Sequence, residues 1–181
     1  MVAILFEGKT DVAFFDTLVT HYQLNKDQII YKNFEGKDNL FNLMHEHYDT
    51  LERDIEQERI TSLLIIVDAD NPKDLSPCRG YHETQTKLNK LRDSLAFSIP
   101  VDFYIMCDNN QEGYLESFLL SVLDNQQRQC IDTFKDCFQY ELSDKWVYNS
   151  FYKHHQHPFD FSHQNFNELK QKLQNLFEGI Q

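Results

Sequence analysis

Residues 63–67 form an unbroken apolar run that leads directly into two carboxylates, Asp68 and Asp70. An apolar run of this length, ended by the breakers Asn71 and Pro72, is typical of a strand that is buried on both faces. Strands of this kind occur in parallel sheets that helices cover on both sides. We therefore expect an α/β protein in which two carboxylates lie where a central strand leaves the core.

The first two-thirds of the chain alternate between strand-like and helix-like segments. This alternation is typical of βαβ units and predicts a parallel sheet of about four strands flanked by helices. Hydrophobic periodicity predicts strands at 2–6, 28–34, 62–67 and 101–106, and helices at 10–22, 38–58 and 83–97, the first of them capped by Thr10.

After Gly113 the pattern predicts only helices, at 114–123, 127–138 and 166–177, with a histidine-containing loop at 154–158. We therefore divide the chain into an α/β domain, residues 1–123, and a helical extension packed on it, residues 124–181. A length of 181 residues is enough for one sizeable core with such an appendage.

The net charge limits how this protein can bind nucleic acid. At a formal charge of −12, general attraction to a phosphate backbone is not expected, so a local basic patch or metal ions would have to meet the phosphates. One basic segment begins beside the acidic pair, with Lys73, Arg79, Lys87, Lys90 and Arg92. It forms either a phosphate-facing patch or an ordinary solvated helix surface.

Targeting signals are not evident. The apolar N-terminal segment lacks the basic region of a signal peptide, and no apolar stretch approaches the roughly 20 residues that span a bilayer. The cysteines have no C-x-x-C spacing, which favours reduced thiols. We expect a cytoplasmic protein without membrane contact, and the sequence leaves open a homodimer or a partner protein.

Acidic residues follow three of the four predicted strands. Glu7 comes directly after the first strand, Asp68 and Asp70 follow the third, and Glu116 lies just beyond the fourth. In a parallel sheet these strand ends share one rim, and carboxylate oxygens suit Mg²⁺. Asp11 is more equivocal, because a carboxylate in the first turn of a helix is favoured by the helix dipole alone. The alternative for each acid is a solvated strand end.

The residues Glu7-Gly8-Lys9-Thr10-Asp11 after a first strand, followed by Asp68-Ala69-Asp70 after a later one, resemble the TOPRIM domain. That domain is shared by topoisomerases, bacterial primases, the recombination mediator R family and OLD-family nucleases. Its signature is a glutamate that closes the first strand and a D-x-D that closes the third. The resemblance implies a TOPRIM-like (Rossmann-like) parallel sheet with Mg²⁺ at those acids.

Two further segments resemble the OLD-type branch and its small stand-alone relatives of unknown function. Residues 34–40 are similar to the G-G-K-x-x-L loop after the second strand, with Glu35 where the family often has glycine. Residues 108–116 are similar to the G-x-L-E segment after the fourth strand. The resemblance covers residues 1–123, and residues 124–181 match no family that we can name.

The resemblance implies a nuclease of the OLD-like TOPRIM type, a Mg²⁺- or Mn²⁺-dependent phosphodiesterase on nucleic acid, with DNA as the first candidate. Glu7, Asp68 and Asp70 would hold the metal, with Asp11 and Glu116 supporting it or binding a second ion. Water would be the nucleophile, and Lys9 or Lys37 would neutralise charge that develops on phosphate.

The alternative is a metal- or nucleotide-binding regulatory module that does not cleave. The strong negative charge favours this alternative, as does the lack of the ATPase domain that full-length OLD proteins carry.

Overall fold

Four parallel strands form a sheet in the order β2-β1-β3-β4, in a computed structural model that describes residues 1–75, 78–151 and 159–178. The strands are β1 (Val2–Phe6), β2 (Ile29–Asn33), β3 (Ser62–Asp68) and β4 (Val101–Met106). The predicted four-stranded parallel sheet is confirmed. The loop predicted at 154–158 lies outside the described residues.

Helices follow each strand and continue to the end of the described chain. They are α1 (Lys9–His21), α2 (Lys37–Leu40), α3 (Glu46–Glu56), α4 (Gly80–Leu95), α5 (Leu115–Ser121), α6 (Asn125–Asp136), α7 (Asp144–Phe151) and α8 (Asn167–Glu178). Short 3-10 turns lie at Lys26–Gln28 and Gln164–Phe166. The α/β class follows from this alternation of parallel strands and helices.

Among the differences from the predicted helix boundaries, two have a local reason. The single helix predicted at 38–58 is divided into α2 and α3. His45 is the N-cap of α3, because its Nδ1 accepts a hydrogen bond from the His47 N–H at 3.3 Å. Thr10, the predicted cap of α1, lies inside its first turn, and Gly8 is the N-cap. Helix α7 was not predicted.

The central strands β1 and β3 are buried on both faces, as their apolar runs predicted, whereas the outer strands β2 and β4 are partly exposed. Alternate residues of β1 and β3 face opposite sides, so Ile4 and Leu64 belong to one core and Leu5 and Ile65 to the other. Helices α1, α5 and α8 cover the first face, and α2, α3 and α4 cover the second. This double layer leaves the ends of the strands as the accessible edges of the sheet.

Helix α8 belongs to the core of the sheet although it lies far along the chain. Its residues Leu169 and Leu173 are fully buried, and the Ser62 hydroxyl at the start of β3 donates to the Leu176 carbonyl at 2.7 Å. The end of the predicted helical extension therefore completes the first face of the sheet. In the described part of the chain, no helix combines the length and the apolarity needed to cross a membrane.

Candidate functional site at the carboxyl edge of the sheet

The strand order places a switch point between the two central strands. From β1 the chain passes to β2 on one side, and from β2 it returns to β3 on the other side of β1. In open parallel sheets the crevice outside the carboxyl ends of the strands at such a point is the usual place for ligands. Glu7 follows β1 and Asp68 ends β3, so both predicted site residues border this crevice.

A lysine lies between the carboxylates that follow these strands. The Lys37 ammonium donates to the Asp70 Oδ2 at 2.7 Å and to the Asp68 carbonyl at 2.6 Å, and it lies 3.8 Å from the Glu7 Oε2. The Lys37 side chain is 6% exposed, against 15% for Glu7 and 12% for Asp70. The structure thus joins Glu7, Lys37, Asp68 and Asp70 in one largely buried cluster.

The pKa of Lys37 shows how strongly the cluster holds this charge. Burial alone disfavours the ammonium, but the charge of Glu7 and the hydrogen bond and charge of Asp70 outweigh burial and raise the Lys37 pKa above its ordinary value. The lysine is therefore a firmly charged cation, and it offsets the repulsion between two neighbouring carboxylates.

The loop after β2 fixes the backbone of Lys37. The Phe34 N–H donates to the Phe6 carbonyl at 2.9 Å, and the Gly36 N–H donates to the Glu7 carbonyl at 2.6 Å. Glu35 has a φ of 58° and Gly36 a φ of 137°, which turns the chain sharply into α2. These bonds tie the loop to the end of β1, so Lys37 and Glu7 are positioned together.

Asp68 and Asp70 do not point the same way. The Asp68 Oδ1 accepts the Leu115 N–H at 3.0 Å, which fixes the start of α5, whereas Asp70 turns toward Lys37. They could point the same way only in an extended chain, but Asp70 has a φ of 61° and pairs with Gly113 through two backbone hydrogen bonds. This left-handed residue separates the two carboxylates and links the third strand end to the loop after β4.

Glu116 is buried in the first turn of α5, one residue beyond the backbone N–H that Asp68 accepts. Burial and the negative charge of Glu116 raise the pKa of Tyr148 in α7. Glu116 is therefore near the edge of the sheet, and its charge acts on the first helical layer.

Lys9 and Asp11 lie in the first turn of α1, directly after Glu7. Their side chains are outside the described part of the structure. Their predicted roles, phosphate neutralisation for Lys9 and metal support for Asp11, therefore stay predictions.

The cluster suits a hard divalent cation by its chemistry, but an ammonium takes that position in the arrangement described. Carboxylate and carbonyl oxygens are the ligands that Mg²⁺ prefers. Within the described ranges, however, no three His, Cys, Asp or Glu side chains are grouped so as to hold a metal ion. Lys37 occupies the centre between Glu7 and Asp70 and supplies the positive charge there.

The basic segment predicted beside the acidic pair extends from the loop after β3 along α4, and two of its cations contact aromatic rings. Lys87 lies over the ring of Phe41 at 5.4 Å, and Arg92 lies over the ring of Phe103 at 5.6 Å. Phe41 is the C-cap of α2, whereas Phe103 lies in β4, so the two cations contact different elements. Lys73 lies nearest in sequence to the acidic pair, and Arg79 is the N-cap of α4.

Sequence reasoning missed a polar group beside Asp70. The Asn71 N–H donates to the Asp74 Oδ2 at 3.0 Å, and the Tyr114 hydroxyl donates to the same oxygen. The hydrogen bond from Tyr114 is the main reason that the pKa of Asp74 is lowered. Burial and this bond raise the pKa of Tyr114 to about 12. Only the contact between distant segments reveals this group, and no spacing in the sequence indicated it.

A polar cleft of about 360 Å³ opens next to this group. Asn71, Gly113 and Tyr114 line it on the side of the cluster, and Lys135 and Lys145 line it on the side of the later helices. The Lys135 ammonium is paired with Asp144 at 2.6 Å. The cleft gives a polar ligand room beside the carboxyl edge of the sheet.

Comparison with known proteins gave one family. Residues 2–158 match the family described as Protein of unknown function (DUF3226). The search of curated proteins and the search of solved structures gave no match.

Proposed function

Because this chain belongs to DUF3226, a family whose function is unknown, we propose an activity from the site itself: hydrolysis of phosphodiester bonds in nucleic acid, dependent on Mg²⁺ or Mn²⁺. The observation that carries the proposal is the convergence of Glu7, Asp70 and a cation at the switch point of a parallel sheet. Carboxylates at this edge, held around positive charge, suit a metal ion and a phosphate.

Glu7, Asp68 and Asp70 would hold the ion in this proposal, with Asp11 and Glu116 in support. The ion, when bound, would polarise a phosphoryl oxygen and lower the pKa of a nearby water. The hydrogen bond from the Gly36 N–H to the Glu7 carbonyl keeps the loop of Lys37 at the carboxyl edge of the sheet. The Lys37 ammonium could there offset the negative charge of a phosphate. Lys9 is the second cation proposed for that charge.

The resemblance of Glu7-Gly8-Lys9-Thr10-Asp11 and Asp68-Ala69-Asp70 to the TOPRIM signature supports this activity. The two motifs follow β1 and β3, which are paired neighbours in the sheet, and this adjacency supports a shared metal. DNA is the first substrate to test. We also propose the cytoplasm as the location, because within the described residues no two of the four cysteines form a disulfide.

The experiment that tests the proposal is cleavage of plasmid DNA and of single-stranded RNA with Mg²⁺ or Mn²⁺. Asp68→Asn keeps an oxygen that can accept the Leu115 N–H but removes the charge, so its fold is retained while cleavage falls on the order of 100-fold or more. Asp102→Ala is the matched control, since Asp102 pairs with Lys172 near the start of β4. Equal activity of Asp68→Asn and wild type would refute the proposal.

One observation favours the second candidate, a metal- or nucleotide-binding module that does not cleave. Lys37 already offsets one of the two negative charges of Glu7 and Asp70, so the carboxylates are partly compensated without a divalent ion. Calorimetric binding of Mg²⁺ or of a nucleotide, together with intact DNA and RNA after long incubation, would select this candidate over the nuclease.

A further inference from the structure

The carboxylate cluster already contains a cation, the Lys37 ammonium, between the carboxylates proposed to hold a metal ion. The Lys37 ammonium takes the Asp70 Oδ2 and the Asp68 carbonyl as hydrogen-bond acceptors and lies beside the Glu7 Oε2. These oxygens are the ones that a divalent ion at this edge would need. A magnesium ion requires its ligands at roughly 2.0–2.1 Å and in near-octahedral order, so an ammonium bonded to the same oxygens competes with it for their lone pairs.

The repulsion between two cations makes sharing still less favourable. The Lys37 side chain is 6% exposed, so water screens its charge poorly. A divalent ion held by Glu7 and Asp70 would lie within a few ångströms of that ammonium. Repulsion between the two cations therefore favours an arrangement in which only one of them stays on the carboxylates.

The loop around Lys37 is held in place, so the lysine side chain is the part that can move away from the carboxylates. The backbone around Lys37 is tied to β1 by the Gly36 N–H, and Leu40 at the other end of α2 is fully buried. The lysine side chain itself has four rotatable bonds and reaches the cluster from the first residue of α2. A rotamer change of Lys37 can thus vacate the oxygens while the loop stays in place.

We infer that Lys37 is an internal competitor of the divalent cation, so that the ion binds Glu7 and Asp70 only by displacing the lysine ammonium. This inference rests on the proposed function, because it concerns the regulation of the same site. It means that the wild-type protein binds its metal more weakly than its carboxylates alone would allow. The site is consequently filled only when metal, or metal together with a ligand that attracts the displaced ammonium, is abundant.

Metal-binding calorimetry with Mn²⁺ alone tests this inference without any activity measurement. Chelator-treated wild type, Lys37→Met and Lys37→Gln are compared at one pH and ionic strength. We expect both neutral variants to bind Mn²⁺ at least about tenfold more tightly than wild type. Glutamine retains a hydrogen-bond donor, so Lys37→Gln keeps the test usable where methionine prevents folding.

Lys73→Met is the matched control, because Lys73 is an exposed lysine three residues beyond Asp70. It removes the same charge without vacating the cluster, and we expect its Mn²⁺ affinity to stay within about twofold of wild type. Thermal melting gives a second readout. The neutral variants should melt lower than wild type without metal, and Mn²⁺ should raise their melting temperature more than that of wild type.

The possible results separate this inference from the proposed function. Tighter binding by the neutral variants supports competition. If wild type shows no binding while the variants bind, competition is supported but metal-dependent cleavage by the natural chain is contradicted. If wild type binds Mn²⁺ and the neutral variants bind equally or more weakly, competition is overturned and the nuclease proposal stands. If none of the proteins binds, both are overturned.

Discussion

At the scale of single residues, Gly113 is the position at the candidate site with the least room for a side chain. Its φ of 91° lies in the left-handed region, and a Cβ built on it would lie 2.6 Å from the Ser117 Oγ and 2.7 Å from the Ser117 Cβ. Its backbone also exchanges two hydrogen bonds with Asp70. Backbone strain and steric overlap therefore coincide where the two loops of the site meet.

Gly113→Ala should lower the free energy of unfolding by at least about 2 kcal/mol, since alanine brings both an unfavourable φ and the overlap with Ser117. Gly80→Ala is the matched control, because Gly80 has a φ of 71° with nothing within 4 Å of its Cβ position. Urea denaturation should show a loss at least about 1 kcal/mol smaller for Gly80→Ala. Equal losses in the two variants would contradict the steric part of the argument. It would also be contradicted if the stability losses of Gly113→Ala and Ser117→Gly simply added in the double mutant.

Much of the candidate site could be predicted at this scale, and the limits have a physical reason. The positions of Glu7 and Asp68 follow from apolar runs that end in acids, because parallel strands share their carboxyl edge. The left-handed φ of Asp70 and the place of Lys37 among the carboxylates depend on contacts between distant segments. Local sequence patterns carry no information on such contacts. The metal roles of these residues stay predictions.

At the scale of elements, the end of α4 contains a residue that is poorly suited to its conformation. Ala96 caps this helix with φ 47° and ψ 28°, the left-handed geometry in which glycine is the usual residue. A Cβ in this region is sterically unfavourable by roughly 1–2 kcal/mol per residue. Helix α4 therefore ends in a backbone conformation that its C-cap residue disfavours.

Ala96→Gly should raise the free energy of unfolding by about 0.5–1 kcal/mol, because glycine removes that steric cost but gains entropy in the unfolded chain. Ala13→Gly, at an exposed position inside α1, should have the opposite sign and lower stability by about 1 kcal/mol. Urea denaturation of the two variants checks both signs. A loss of stability in Ala96→Gly would show that the left-handed cap is not strained.

The elements that could be predicted are those with a strong apolar period or run. All four strands and helix α8 were found within one or two residues, because their buried residues recur at strand or helix spacing. Helix α7 was missed, since Val147 is its only buried residue in the described structure. The break between α2 and α3 depends on a histidine cap that hydrophobic periodicity does not detect.

At the scale of the whole molecule, the two parts of the chain share one core. Phe166, Leu169 and Leu173 are fully buried in the same cluster as Ile4 and Leu64 of the sheet. A fragment that ends at residue 123 would expose this face of the central strands. The boundary predicted after residue 123 is thus the point where strands give way to helices only. The hydrophobic core extends across it.

The fragment 1–123 should therefore lack a cooperative unfolding transition, because one face of its sheet has no complete cover. Leu173→Ala tests the same contact in the full chain and should cost about 2–5 kcal/mol. Leu75→Ala is its control, since Leu75 is 100% exposed. Circular dichroism during urea denaturation measures all three. A fragment that unfolds cooperatively, with Leu173→Ala near wild type, would contradict a shared core.

The position of α8 also affects when the protein can fold during its synthesis. The Ser62–Leu176 hydrogen bond joins residues 114 positions apart, so this contact closes a very long loop. While a ribosome is still making the middle of the chain, β1 and β3 have their inner face open to solvent. The nascent polypeptide must keep that surface from associating with other chains until α8 emerges.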